Sequence, residues 1–219
     1  LSRSSAASDV YKRQTYNNIA LVHIELQNYN IALENINKAY NLREKYNFNP
    51  IDIAHSFKSL SELYYIWNMQ DKGNLYLAKT DSINRVIQEQ KLSKYKDFDE
   101  LVFKLSENYL GNCYEYKGEY LSNQKRYDQA LEAYNKASSY YGEFTFQKVS
   151  LINKKANVYY MLAEYENCLK AVEECILLSK EQNLQKQIEI ALELKIKALN
   201  MLGLSSKIEL LVEEILENK

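Results

Sequence analysis

The side chains in this sequence that could do chemistry are few, and their spacing builds no recognisable reaction centre. Two histidines, His23 and His55, and three cysteines, Cys113, Cys168 and Cys175, are spread over 219 residues. Hydrolysis or redox chemistry needs a nucleophile held by a base, or metal ligands at close spacing. No His-Glu-x-x-His, Cys-x-x-Cys, Gly-x-Gly-x-x-Gly or Gly-Lys-Ser/Thr run occurs. On one helix Cys168 and Cys175 would stand roughly 10 Å apart at about 1.5 Å per residue, beyond disulfide reach. They read as compact hydrophobes, and the odd cysteine count fits a reducing compartment. The sequence therefore assigns no catalytic residue, no metal ligand and no cofactor, and an all-helical enzyme is the least favoured reading.

The elements that must carry these residues are helices. Glycine (5) and proline (1) are scarce, so long stretches can remain helical. Basic and acidic residues number 28 and 29, interspersed, for a net charge of −1. That balance gives a phosphate backbone no reason to bind, and disfavours nucleic acid as partner. Twenty tyrosines could stack bases, but several recur at packing positions. No run of about 18 apolar residues is present, so no membrane span is expected.

The opening segment, Leu1 to Gln14, has no apolar period and no signal-peptide core. It resembles a translated sequencing-adapter tail and is set apart as a non-native or disordered leader. Without it 25 basic residues face 28 acidic ones. The native N-terminus and any targeting signal are expected to lie outside the sequence.

From Thr15 onward the chain repeats itself. Small or apolar residues fall at Tyr29, Ala32, Leu33, Ile36, Ala39 and Tyr40, marking one face of a helix. The series recurs as Tyr127, Ala130, Leu131, Tyr134, Ala137 and as Tyr165, Cys168, Leu169, Val172, Cys175, Ile176. Each follows another amphipathic stretch, with Tyr16, Ile19, Ala20 and His23 before the first copy and Ile152, Ala156, Tyr159 and Leu162 before the third. The unit is a helical hairpin, with small residues where two helices approach closely.

This order resembles the tetratricopeptide repeat family, most clearly in Arg126-Tyr-Asp-Gln-Ala-Leu-Glu-Ala-Tyr-Asn-Lys-Ala137. Two units are degenerate: one puts Gly73, Leu77 and Thr80 at the pattern positions, the other turns at Gly203 and faces Ile208, Val212 and Ile215 inward. The first small positions, Ala32, Gly73, Ala130, Cys168 and Ile208, are 41, 57, 38 and 40 apart, longer than the minimal repeat. Phe98 to Gln124 reads as one extended first helix. The resemblance implies an all-α, right-handed α-solenoid of about five antiparallel hairpins, a single array over 15–219 with units near 15–47, 50–95, 97–142, 144–183 and 185–219. Leu210, Leu211 and Leu216 near the end call for a cover.

The same resemblance implies a protein or peptide ligand in a groove lined by first-helix residues. Counting from the packing stripe, these include Asn17, with Asn18 and Leu21; His55, Lys58, Glu62 and Tyr65; Asn112 and Glu119, with Glu115; Asn153, Lys154, Asn157 and Tyr160; and Lys197, with Glu193 and Asn200. An Asn amide can pair with peptide backbone without reading side chains. His23 stands where the pattern has Tyr and reads as structural. Some family members clamp the C-terminal carboxylate of chaperones with Lys and Asn. Here Asn153, Lys154 and Asn157 supply a fragment, but the first unit lacks the Lys and Glu62 replaces an Asn, so that function is not supported. The expectation is a protein-interaction scaffold within a larger signalling protein, with a peptide-responsive sensory domain as the alternative.

Overall fold

A computed structural model describes residues 3–44, 49–92, 100–142 and 146–217. They form ten helices and no strand: α1 (Arg3–Glu25), α2 (Tyr29–Glu44), α3 (Pro50–Ile66), α4 (Gln70–Leu92), α5 (Glu100–Asn123), α6 (Tyr127–Tyr140), α7 (Phe146–Met161), α8 (Tyr165–Glu181), α9 (Gln185–Met201) and α10 (Ser205–Glu217). The chain is all-α and built of helical hairpins, as the periodicity requires. α5 runs through the stretch read as one long first helix. The helix also continues back from Thr15 to Arg3, so residues 3–14 extend α1 without a break. Leu1 and Ser2 lie outside the described residues.

The corners are made by backbone geometry more than by glycine. Gln27, Asn68, Lys125, Ala163, Asn183 and Gly203 each take a positive φ just past a helix end. At each, the next backbone N–H returns to a carbonyl five residues earlier, as in Met69 N to Tyr64 O (2.8 Å) and Glu164 N to Tyr159 O (2.9 Å). This is the Schellman closure, which satisfies carbonyls a helix end leaves open. The only proline, Pro50, opens α3, where the Asn49 side chain accepts from Ile51 N at 3.2 Å.

Two compact units follow along the chain, Leu1–Tyr120 and Leu121–Lys219. In the first, α1 pairs with α2 and α3 with α4, and α2 packs on α3. Its core gathers Ala20, Ala32, Ile36, Leu60, Leu63 and Tyr64, with a second cluster of Tyr65, Leu77 and Cys113. An aromatic row continues it, with Tyr64 stacked between Trp67 and Tyr76 at 6.3 and 5.6 Å. α4 meets α5 through Ser106 Oγ donating to Asn84 Oδ1 at 2.8 Å and Cys113 against Thr80. The degenerate positions Gly73, Leu77 and Thr80 are all buried and keep their packing role.

In the second unit α7 packs on α6, α8 and α9, and α10 packs on α9. Its core joins Val149, Ala156, Cys168, Val172, Cys175, Ala191, Leu194 and Ala198. The small positions Ala130, Ala137, Cys168 and Cys175 are fully buried, as their place at helix crossings demands. The cysteines are free thiols, and burial pushes Cys168 up to about 11, the behaviour of inert hydrophobes. In α10 one expectation is corrected. Three residues past Ile208 the buried side chain is Leu211, while Val212 is 41% exposed. The inward face follows the i, i+3 step here rather than i, i+4. The side chains of Ile215 and Leu216 lie outside the described residues.

Candidate functional site

The first unit holds a polar cluster built around Arg43. A basic residue in the last turn of a helix suits the negative end of its dipole, and Arg43 takes that place in α2. Yet its side chain turns inward and is 7% exposed. One guanidinium nitrogen donates to Ser56 Oγ, another to His55 Nδ1 at 3.0 Å. Arginine has no acceptor, so Nδ1 must accept and the imidazole proton sits on Nε2. Burial, followed by the charges of Arg43, Lys58 and Arg13, lowers His55 to about 3. The ring is therefore neutral at pH 7, and it stands edge-on to Tyr109 at 5.2 Å.

Arg43 is lowered to about 10, by burial first and by Arg13 next, with Asp52 opposing. It remains a cation at neutral pH. Among the described residues its Nε makes no hydrogen bond; Asp52 Oδ1, 3.9 Å away, forms an ion pair with it and a closer one with Arg13 at 3.2 Å. These groups border an open cavity of about 310 Å³, completed by Gln14, Asn17, Ile51 and Leu105. Two of the expected groove residues, Asn17 and His55, are thus brought to one site.

The neighbouring expected residues behave differently. Lys58 and Glu62, one turn apart on α3, form an ion pair at 3.0 Å with side chains 17% and 8% exposed. Burial raises the Glu62 carboxyl against the pull of Lys58, and Glu115 and Glu119 push the same way. Tyr65 is 3% exposed; its ring lies over Gly73, and its hydroxyl donates to Asn74 Oδ1 at 2.8 Å. It is a packing residue within the α3–α4 hairpin. Asn112 is half-buried, with its amide 3.4 Å from Asn108 Oδ1, and Glu119 is half-buried as well.

In the second unit Asn153 is also turned inward. It is 5% exposed and donates to the carbonyl of Gln187 at 3.1 Å and to its Oε1 at 2.8 Å, tying α7 to α9. Lys154 is half-buried and Asn157 exposed. Tyr160 packs on Tyr165 with ring centres 5.6 Å apart. Lys197 is exposed and pairs with Glu193. His23 is half-buried, in keeping with a structural role.

Sequence reasoning missed Arg43, Asp52 and Tyr109. Only the first helix of each hairpin was read for ligand contacts, and Arg43 is on a second helix. A basic residue at a helix end beside a predicted groove histidine was the available signal. Among the described residues no group of His, Cys, Asp and Glu gathers as a metal site, and no helix is long and apolar enough to cross a membrane.

No family model matches the sequence, and no curated protein is matched by it. Among solved structures, the chain is similar to BtubC (BKLC) from P. vanneervenii. That match has 14% identity, a TM-score of 0.54, and covers 95% of this chain and 87% of that one. A TPR2AB-domain:pHSP90 complex of yeast Sti1 is matched more loosely, at 15% identity and a TM-score of 0.37 over 85% of each chain. The first likeness shows a shared fold.

Proposed function

We propose that this chain is a protein-binding scaffold that holds a peptide segment, with the cavity of the first unit as an anchoring point. The observation that supports it is the cavity's make-up. About 310 Å³ of open space is bordered by the apolar Ile51 and Leu105 and by the hydrogen-bonding Asn17, His55 and Tyr109. A few convergent polar groups on an apolar wall suit one or two residues of a bound chain. Such a contact is solvated and must order its ligand, so affinity is expected near micromolar, about 8 kcal/mol.

The test is selection of linear dodecapeptides displayed on phage against the immobilised protein, followed by solution binding. An Asn17→Ala, His55→Gln double variant with unchanged helical circular dichroism should weaken the selected peptides about tenfold, or about 1.4 kcal/mol. Absence of any enriched peptide, or equal binding to the double variant, overturns the reading.

A further inference from the structure

The helix corners give a register in which one hairpin can be laid on the next. Twelve residues before the corner that closes each first helix stand Ser56 in α3, Cys113 in α5, Leu151 in α7 and Ala191 in α9, all fully buried. Five residues before it, Leu63, Val158 and Ala198 are fully buried in α3, α7 and α9, and Tyr120 of α5 packs against the Cys113 cluster. In α1 the same two places hold Thr15, which is exposed, and Val22, which is 53% exposed. Ile19 and Leu26, both exposed, complete a stripe with steps of 4, 3 and 4 that keeps to one helix face. All four residues follow the leader segment.

Elsewhere that face is covered by the second helix of the hairpin before it. Nine residues past the corner, α2, α4, α6 and α8 carry Ile36, Leu77, Tyr134 and Val172, all buried. Ile36 shares a core cluster with Leu60 and Leu63 of α3, Leu77 with Cys113 of α5, and Val172 with Ala191 and Ala198 of α9. In α10 the ninth place is Val212, 41% exposed. Among the described residues α10 is the one second helix that leaves this side chain uncovered.

A hairpin without a neighbour is kept apart from other chains by a polar outer face. Here α1 and α10 present valine instead, and the two faces are complementary halves of one recurring junction. We propose that the α10 face of one copy packs on the α1 face of a second copy, head to tail, joining Val212 and Val22 in one cluster as Val172 and Ala198 are joined. The occupant is a second copy because a single chain displays both halves, in the register its own hairpins use. The pairing is heterologous, so each paired copy still has one face free. Asn17 leaves α1 on the side opposite this stripe, so the cavity around His55 takes no part and the inference stands apart from the peptide reading.

Sedimentation velocity and light scattering of the full chain at about 1–200 µM read the pairing. The parent's weight-average mass should climb with concentration. Val22→Glu and Val212→Glu each place a charge in the junction and should weaken self-association at least about tenfold. At these exposed sites glutamate suits a helix at least as well as valine, so circular dichroism should stay unchanged; if it does not, serine replaces glutamate in the same design. Each single variant keeps one working face. A mixture of the two should therefore form a one-to-one pair and grow no further. A parent that stays at one copy throughout the range overturns the proposal, as does a mixture that stays at one copy. Self-pairing of Val212→Glu alone would overturn it in favour of a symmetric α1 contact, and self-pairing of Val22→Glu alone in favour of a symmetric α10 contact.

Discussion

At Gly73 a methyl group has no room. A Cβ there would meet two carbons of the Tyr65 ring at 2.7 Å. In a helix, alanine ordinarily gains about 1 kcal/mol over glycine. Overpacking a buried contact costs about 1–3 kcal/mol, and with Tyr65 only 3% exposed the ring has little space to retreat. Gly73→Ala should therefore destabilise by about 0.5–2 kcal/mol in urea unfolding, and should stabilise once Tyr65→Ala has cleared the space. A more stable single variant would refute the close approach. The same pair explains a limit of sequence reading. Gly73 was legible as a weak small position, but its partner was assigned to the groove. Helical spacing gives the direction in which Tyr65 leaves its helix; it cannot say that the next helix lies in that direction. Asn153 was misplaced for the same reason, its partner Gln187 being 34 residues onward.

At the level of elements, the buried faces were legible because apolar side chains at 0, 3, 4 and 7 can share only one side of a helix. Ala32 and Ile36, Ala130 and Tyr134, and Cys168 and Val172 are all inside. Corners were harder to read, since among the described residues five of the seven positive-φ corner positions lack the glycine that usually marks them. Ala163 is the least suited, at φ 60° with only a methyl side chain. A left-handed conformation costs a non-glycine residue about 1–2 kcal/mol, and glycine's freer unfolded chain returns about 0.4–1 kcal/mol of that. Ala163→Gly should raise stability by about 0.5–1 kcal/mol, seen as a higher denaturation midpoint. A lowered midpoint would mean that the corner does not bear this strain. Glu62 and Arg43 show the remaining gap. Their burial depends on which helices adjoin theirs, and no periodicity within one helix carries that information.

At the scale of the whole molecule, each unit has a core of its own. The clusters around Leu63 and around Cys113 lie in the first unit, the cluster around Val172 in the second, and they share no residue. Leu194→Ala removes a side chain only 7% exposed and should cost about 2–4 kcal/mol. Hydrogen exchange measured by mass spectrometry should accelerate over 149–178 and stay unchanged over 54–65. Equal acceleration in both segments would show one cooperative body. The second unit also contains a constraint on length. Its corner residues Ala163, Asn183 and Gly203 recur every twenty residues. One residue gained or lost between two of them would swing every later side chain of that helix by about 100°. Indels there should survive only as near-whole turns of three or four residues, so lineages of this sequence should differ in helix length by such quanta while their loops stay fixed.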